Sequence, residues 1–412
     1  MEKVFIVAAK RSPIGAFGGS LKNVSAGKLA ADVIKGALQA GNVDANQIDE
    51  VIMGNVISSG QGMGVGRQAA IYAGIPEEVP AYGVNMVCGS GMKTVMDAVA
   101  HIRAGDVSVA IAAGVEVMSQ IPFATPSTLR DGNKMGGFEM KDLLINDGLT
   151  DVFNQYHMGV TAENIAKQFE ISREAQDAFA LDSQLKAVAA IEAGKFNDEI
   201  VPISVQQRRE TVTFAIDEYP KAEATLAGLQ GLRPAFDKEG SVTAGNASGI
   251  NDGASVIIVA SQSAVDEYGL EPLAEILGYA QTGIDPRVMG LGPVSAVTQA
   301  LEKAELSIEQ IDLFELNEAF AAQALGVIHG LSAEHHVSTE SILAKSNVNG
   351  GAIALGHPLG ASGNRILVTL VHELKRRGEN YGVASLCVGG GMGTAQWSSK
   401  RCNNGSDIYF NH

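Results

Sequence analysis

The sequence predicts an α/β protein made of two duplicated halves, each alternating strands and helices, with a loop-rich segment inserted between them. Two matched pairs of segments carry that prediction. Ala37-Leu38, then Gln47-Ile48-Asp49 and a strand through Val51 and Met53, end at Gly54-Asn55. Ala300-Leu301, then Gln310-Ile311-Asp312 and a strand through Leu313 and Phe314, end at Asn317-Glu318. In the second pair, Ser90-Gly91, its helix and the strand Val107 to Ala112 run into Gly114. Ser362-Gly363, its helix and the strand Val383 to Leu386 run likewise into Gly389-Gly390-Gly391. Chance supplies one such match easily. Two in the same order argue for duplication, and each half is expected to hold a largely parallel sheet.

The first half begins at once with an apolar strand, Val4 to Val7, and lacks the layout of a secretory or transit leader. Asn85-Met86-Val87-Cys88-Gly89-Ser90-Gly91 leads into Met92, Val95, Met96, Val99 and Ile102, the 3.6-residue spacing of a buried helix. Cys88 then sits at the helix's N-terminal end, where free N–H groups and the macrodipole favour an anion. Its thiol pKa is expected to fall, making a nucleophile at neutral pH. A buried core cysteine is the plainer reading of the motif taken alone.

From about Gln120 to Ser248 the character changes. Loop-like clusters (Pro122 to Pro126, Gly132 to Gly137) precede amphipathic helices around Thr161 to Phe169 and Arg173 to Ala193, the second capped at Ser172. An insertion of this length is expected to act as a lid or binding loop. The boundaries read as 1–119 with 249–272 for the first half, 120–248 for the loop domain and 273–397 for the second half. After Trp397 the periodicity stops, leaving 398–412 as a polar tail.

Composition narrows the functional classes. The chain has 412 residues, 46% of them hydrophobic, and a formal charge of −16. That charge argues against nucleic-acid partners, which need a basic face. No run approaches the roughly 18 apolar residues of a membrane span. Three cysteines make no disulfide framework, so a reducing, cytoplasmic setting is expected. His335-His336 has no third ligand in spacing, and neither a metal nor a bound cofactor is expected.

Three further clusters carry chemistry. In Asn349-Gly350-Gly351 to Gly356-His357-Pro358-Leu359-Gly360-Ala361-Ser362-Gly363, dense glycines allow close backbone approach, and His357 can accept a thiol proton. Cys387-Val388-Gly389-Gly390-Gly391 and Asn317-Glu318-Ala319-Phe320 both follow strands. Open α/β sheets place ligand sites beyond the carboxyl ends of strands. Cys88, Asn317, His357 and Cys387 should therefore converge.

Over Val4 to Trp397 the sequence resembles the thiolase family. The resemblance rests on Arg11-Ser12-Pro13-Ile14-Gly15, Cys88-Gly89-Ser90-Gly91, Gly245-Asn246-Ala247-Ser248-Gly249-Ile250-Asn251-Asp252-Gly253, Asn317-Glu318-Ala319-Phe320, Gly356-His357-Pro358 and Cys387, in family order. His157-Met158-Gly159 is similar to the branch that handles short acyl chains. The resemblance implies a layered αβαβα fold with an inserted loop domain and a homotetramer. It also implies the condensation of two acetyl-CoA molecules to acetoacetyl-CoA and CoA, or the reverse. In that scheme His357 takes the Cys88 proton, Cys88 carries the acetyl group, and Cys387 deprotonates the second acetyl-CoA. One oxyanion is met by His357 and a water on Asn317, the other by the N–H groups of Cys88 and Gly389. His157, Met158 and Ser248 are expected along the CoA channel. Lys221 stands where related enzymes carry an arginine near the nucleotide.

Rival readings weaken on particular residues. His157-Met158 argues against a degradative 3-ketoacyl-CoA thiolase of broader chain length. Cys387 argues against a decarboxylating condensing enzyme, which lacks that base. A non-catalytic acyl-CoA-binding protein on the same scaffold is expected to have lost one of Cys88, His357 or Cys387. A dinucleotide-binding dehydrogenase fails on spacing, since Gly62-Met63-Gly64-Val65-Gly66 opens no G-x-G-x-x-G helix.

Overall fold

A computed structural model describes residues 2–400. The first half comprises β1 (Val4–Arg11), α1 (Ala26–Gly41), β2 (Glu50–Gly54), α2 (Val65–Ala73), β3 (Ala81–Val84), α3 (Ser90–Ala104) and β4 (Val109–Val117). After an excursion through α4 (Met158–Gln168) and α5 (Arg173–Glu192), the chain returns as β5 (Asn251–Ser261). The second half repeats the order with β6 (Ala274–Gly283), α6 (Gly292–Ala304), β7 (Leu313–Leu316), α7 (Ala321–His335), α8 (Leu359–Arg377), β8 (Tyr381–Val388) and β9 (Met392–Lys400).

The repeated Gln-Ile-Asp has a structural cause. Gln47 and Gln310 each close a capping box, accepting the backbone N–H of Asp44 at 2.9 Å and of Ser307 at 2.8 Å. The aspartate two residues later pins the neighbouring strand. Asp49 accepts the N–H groups of Ser108 and Val109, and Asp312 those of Asn380 and Tyr381. The motif thus sets the register of β2 against β4 and of β7 against β8.

The strands run β3-β2-β4-β5-β1-β6-β9-β8-β7. Within the sheet, β1 pairs with β6 of the other half at Phe5 with Glu275 and Ile6 with Ala274. The parallel pairings of named strands are β2 with β3 and β4, and β7 with β8. The expectation of two largely parallel sheets is therefore corrected: β5, β1, β6 and β9 pair antiparallel. Local turns explain part of this. At Gly390 and Gly391, with φ of +86° and +88°, the chain reverses from β8 into β9, a path that favours glycine.

Alternation of side chains then builds five layers. Val109, Ile111 and Ala113 of β4 pack with α1 and α2, whereas Ala110 and Ala112 face α3 and α8. The central layer of α3 and α8 is covered by both sets of strands, and α8 is buried from Leu359 through Val371. Trp397 lies in the outer layer with α6 and α7. This is the αβαβα order.

In the insertion, α4 and α5 fall where periodicity placed them, within three residues at each end. Ser172 caps α5 by accepting the Ala175 N–H at 3.2 Å, and alanine at that third position completes no box. Buried Arg11 ties the insertion to β1, donating to Glu199 at 2.6 Å and to Asp217 at 2.7 and 2.9 Å. The last strand continues past Trp397, since Ser398 pairs with Ile276 and Lys400 with Ala274. Polar side chains hide that continuation from a hydropathy reading. The rest of the expected tail, with Cys402, lies outside the described residues.

Candidate active site

The nucleophile candidate sits on a strained turn. Between β3 and α3, Val87 adopts a φ of +45°, rare for a β-branched residue. Local polar contacts hold it there. Asn85 Oδ1 accepts the Val87 N–H at 3.0 Å; Ser90 Oγ accepts the Met86 N–H at 2.9 Å and donates to the Val87 carbonyl at 2.6 Å. The backbone N–H groups of Gly389 and of Cys88 itself are directed at the Cys88 sulfur. A side chain at Gly389 would press within 3.2 Å of Val87 Cγ1, so glycine keeps that approach open.

Cys88 does not have the lowered pKa that its helix-end position suggests. Burial pushes the thiol up to about 11, beyond what the two N–H donors recover. The apolar neighbours Val87, Ile57, Met118 and Leu359 supply the low-dielectric surroundings. The helix terminus is real, but desolvation outweighs it.

His357 comes from the other half, in the turn entering α8, and is buried. Its tautomer follows from one hydroxyl. Ser362 Oγ donates to the Pro358 carbonyl at 2.9 Å, so it must accept from His357 Nδ1 at 2.6 Å. The proton is thereby fixed on Nδ1, and Nε2 presents a lone pair with no partner among the described residues. Burial, then the charge of Arg365, holds the imidazole down at about 4. Thiol and imidazole are thus both neutral at physiological pH. Alkylation of Cys88 by iodoacetamide should therefore accelerate with pH across the range 7 to 10; a plateau by pH 8 would instead reveal a preformed thiolate–imidazolium pair.

Cys387 ends β8 beside them, 1% exposed, its pKa raised well above the ordinary thiol range by burial and then by Cys88. Cys88, His357, Cys387 and Gly389 all line one cavity of about 290 Å³. His157, Met158 and Ser248 line it too. His157 Nδ1 accepts the Gly159 N–H at 3.0 Å, leaving Nε2 to carry the proton, and its ring stacks on Phe236 at 4.5 Å. Asn317 closes β7 behind the wall. Its backbone N–H donates to the Ser385 carbonyl at 2.9 Å, and neither atom of its buried side-chain amide has a partner among the described residues. Lys221 falls outside: it is exposed, over the Tyr219 ring at 5.7 Å, and Tyr219 rather than Lys221 reaches the cavity.

Sequence reasoning missed several wall and support residues. Phe236 and Met289 line the cavity from segments with no motif around them. Ser362 stands in both the repeat and the His357 cluster with no role assigned to it; its five-residue spacing from His357 was the available signal. Asn251 belongs to the Gly245 to Gly253 motif, but nothing local shows that its side chain accepts the His357 N–H at 3.0 Å, 106 residues away in sequence.

Residues 4–263 match the thiolase N-terminal domain and residues 270–399 the thiolase C-terminal domain. The chain is 54% identical to an acetyl-CoA acetyltransferase of Cupriavidus necator, over 96% of this chain and 98% of that protein. Among solved structures, human mitochondrial 3-ketoacyl-CoA thiolase superposes with a TM-score of 0.92 at 46% identity, covering 97% of this chain and 99% of that one. The acetyl-CoA acetyltransferase of Syntrophomonas wolfei superposes with a TM-score of 0.94 at 39% identity, covering 97% and 100%.

Proposed function

Because the chain belongs to the thiolase family, we propose that it is an acetyl-CoA C-acetyltransferase, joining two acetyl-CoA molecules into acetoacetyl-CoA and CoA or running the reverse thiolysis. The observation that carries this reading is one cavity lined by two thiols and an imidazole whose Nε2 is unpartnered.

In the forward direction, His357 Nε2 accepts the Cys88 proton as the sulfur attacks the first acetyl thioester. The neutral ground state means that proton moves only when the thioester is in place. The N–H groups of Cys88 and Gly389, already aimed at the sulfur, meet the oxyanion that forms there. CoA leaves as a thiol with the proton from His357, and an acetyl-cysteine remains. The freed His357 Nε2 then takes the Cys387 proton, and the Cys387 thiolate removes a methyl proton from the second acetyl-CoA. The resulting carbanion attacks the acetyl-cysteine carbonyl, a carbon–carbon bond forms, and the Cys88–acetyl bond breaks as Cys88 regains its proton from His357 Nε2. His357 Nε2–H and a water on the unpaired Asn317 amide answer the enolate oxygen. His157, Met158 and Ser248 steer the pantetheine, while the exposed Lys221 is left at most a place near the nucleotide end.

Homotetramer assembly is part of this reading. Phe123, Phe138, Met140 and Phe153 of the insertion are each at least half exposed, and β3 ends the sheet with one unpaired edge. The cytoplasm is the setting proposed, since a working nucleophile and base need reduced thiols and Cys88 and Cys387 are free. Among the described residues no helix is long and apolar enough to cross a membrane.

Mass spectrometry of protein mixed with acetoacetyl-CoA and trace CoA, followed by peptide mapping, tests the reading. An acetyl group on Cys88 that disappears when CoA is added in excess is expected. An adduct formed only from long acyl chains would favour the degradative thiolase reading, which the human structural relative keeps in view.

A further inference from the structure

The two reacting halves of the cavity come from different halves of the chain, Cys88 from the first and His357 from the second. Something must fix their separation, because proton transfer fails when donor and acceptor drift by an ångström. Among the neutral contacts near the site that cross the boundary are Asn251 to the His357 N–H at 3.0 Å, Ser255 to the Ala361 carbonyl at 2.6 Å, and Asn364 to the Ala112 carbonyl at 3.0 Å. A further contact is different in kind.

We propose that the buried Glu116 carboxylate is a positioning residue that clamps the nucleophile's loop to the base's helix. Glu116 lies on β4 and is 0% exposed. Its Oε2 accepts two N–H groups at once, Val56 at 2.9 Å in the first half and Gly360 at 2.9 Å in the second. Its Oε1 accepts from Ile57 at 3.1 Å and from Asn55 Nδ2 at 3.2 Å. One oxygen atom thus bridges the halves, and the other secures the same loop twice.

Both ends of the bridge lead to the chemistry. Val56 and Ile57 pack with Val87, Cys88 and Leu359 in one apolar cluster. Gly360 lies in the first turn of α8, between His357 and the Ser362 that fixes its tautomer. The approach is close on both sides. A Cβ on Gly360 would stand 2.5 Å from the Val115 carbonyl and 2.9 Å from Glu116 Oε2, and one on Gly114 would strike the Gly360 carbonyl. Burial raises the Glu116 carboxyl to about 7, against the opposing pull of the Val56, Ile57 and Gly360 N–H groups, so at pH 9 it is the ionised carboxylate. Its own charge also helps to raise the Cys88 thiol.

This inference rests on the acetyl-cysteine reading and is tested with the full-length enzyme. Gln at position 116 keeps the size but turns one acceptor into a donor facing N–H groups. In E116Q, kcat for thiolysis of acetoacetyl-CoA should fall about a hundredfold while KM stays within about twofold. Alkylation of Cys88 at pH 9 should become faster, because a like charge near the thiol has gone. Opposite movement of the two rates is what a merely structural role would not give. E116D keeps the charge but is too short to reach both loops, so its kcat should stay low with alkylation unaccelerated.

A folded E116Q with wild-type kcat, or an E116D with full activity, overturns the proposal. Should neither variant accumulate folded, amide hydrogen exchange on the wild-type chain decides. The Val56 and Gly360 amides are expected to be as protected as those of β4, and exchange at free-loop rates sinks the clamp. The Cys88 acetyl adduct of the wild-type enzyme tests the underlying reading separately.

Discussion

Replacing Cys88 by alanine is expected to abolish turnover in both directions, by roughly 10⁴-fold or more, and to remove the acetyl adduct altogether. The size follows from what the thiol does. Without the acetyl-cysteine, carbon–carbon bond formation would need two thioesters to meet directly, and the other thiol lining the cavity is Cys387. That second thiol is buried, with a pKa pushed further up than that of Cys88, so it makes a poor substitute nucleophile. The fold should survive, because Cys88 is only partly buried and its turn is held by Asn85 and Ser90 rather than by the sulfur. Spectrophotometric loss of acetoacetyl-CoA, alongside a melting curve, checks both statements. Residual activity within a hundredfold of wild type would remove Cys88 from the nucleophile's role.

Replacing Cys387 by alanine should divide the reaction in two. Acylation of Cys88 needs His357 and the N–H groups of Cys88 and Gly389, none of which is altered. Exchange of labelled CoA into acetyl-CoA should then stay within about tenfold of wild type, while condensation falls by roughly 10²- to 10⁴-fold with loss of the general base. Burial is what gives Cys387 its high proton affinity, and a thiolate of high proton affinity is the stronger base toward a thioester methyl group. Equal loss of exchange and condensation would mean that Cys387 also serves the acylation step.

Much of this architecture was legible from local patterns. The duplication showed through because Gln47 and Gln310 do the same capping work and Asp49 and Asp312 the same strand pinning, so both copies keep those residues at fixed spacing. Helix α3 was readable from Met92 to Ile102, since a helix covered on its inner face must repeat apolar residues with its own turn. Cys88, His357 and Cys387 were readable because glycine-flanked reactive side chains after strands have few other uses.

Other features had no local signal. Ser398 reads as the start of a polar tail, yet it pairs with Ile276 in the last strand. Lys221 stands at a plausible position in the chain but points to solvent over Tyr219. Glu116 carries no local signal of its contacts, because the four donors it accepts lie 59 to 61 residues before it and 244 after it.

By itself the sequence determined the two-half α/β plan, its helices and the three groups that meet in the cavity, since each depends on periodicity, spacing or side-chain type. Tertiary structure alone decided the antiparallel centre of the sheet, the proton on His357 Nδ1 and the protonated state of Cys88. The last two depend on which atoms surround a group rather than on which residues adjoin it. A helix end beside Cys88 argued for a thiolate; apolar walls contributed from several distant segments made it a thiol.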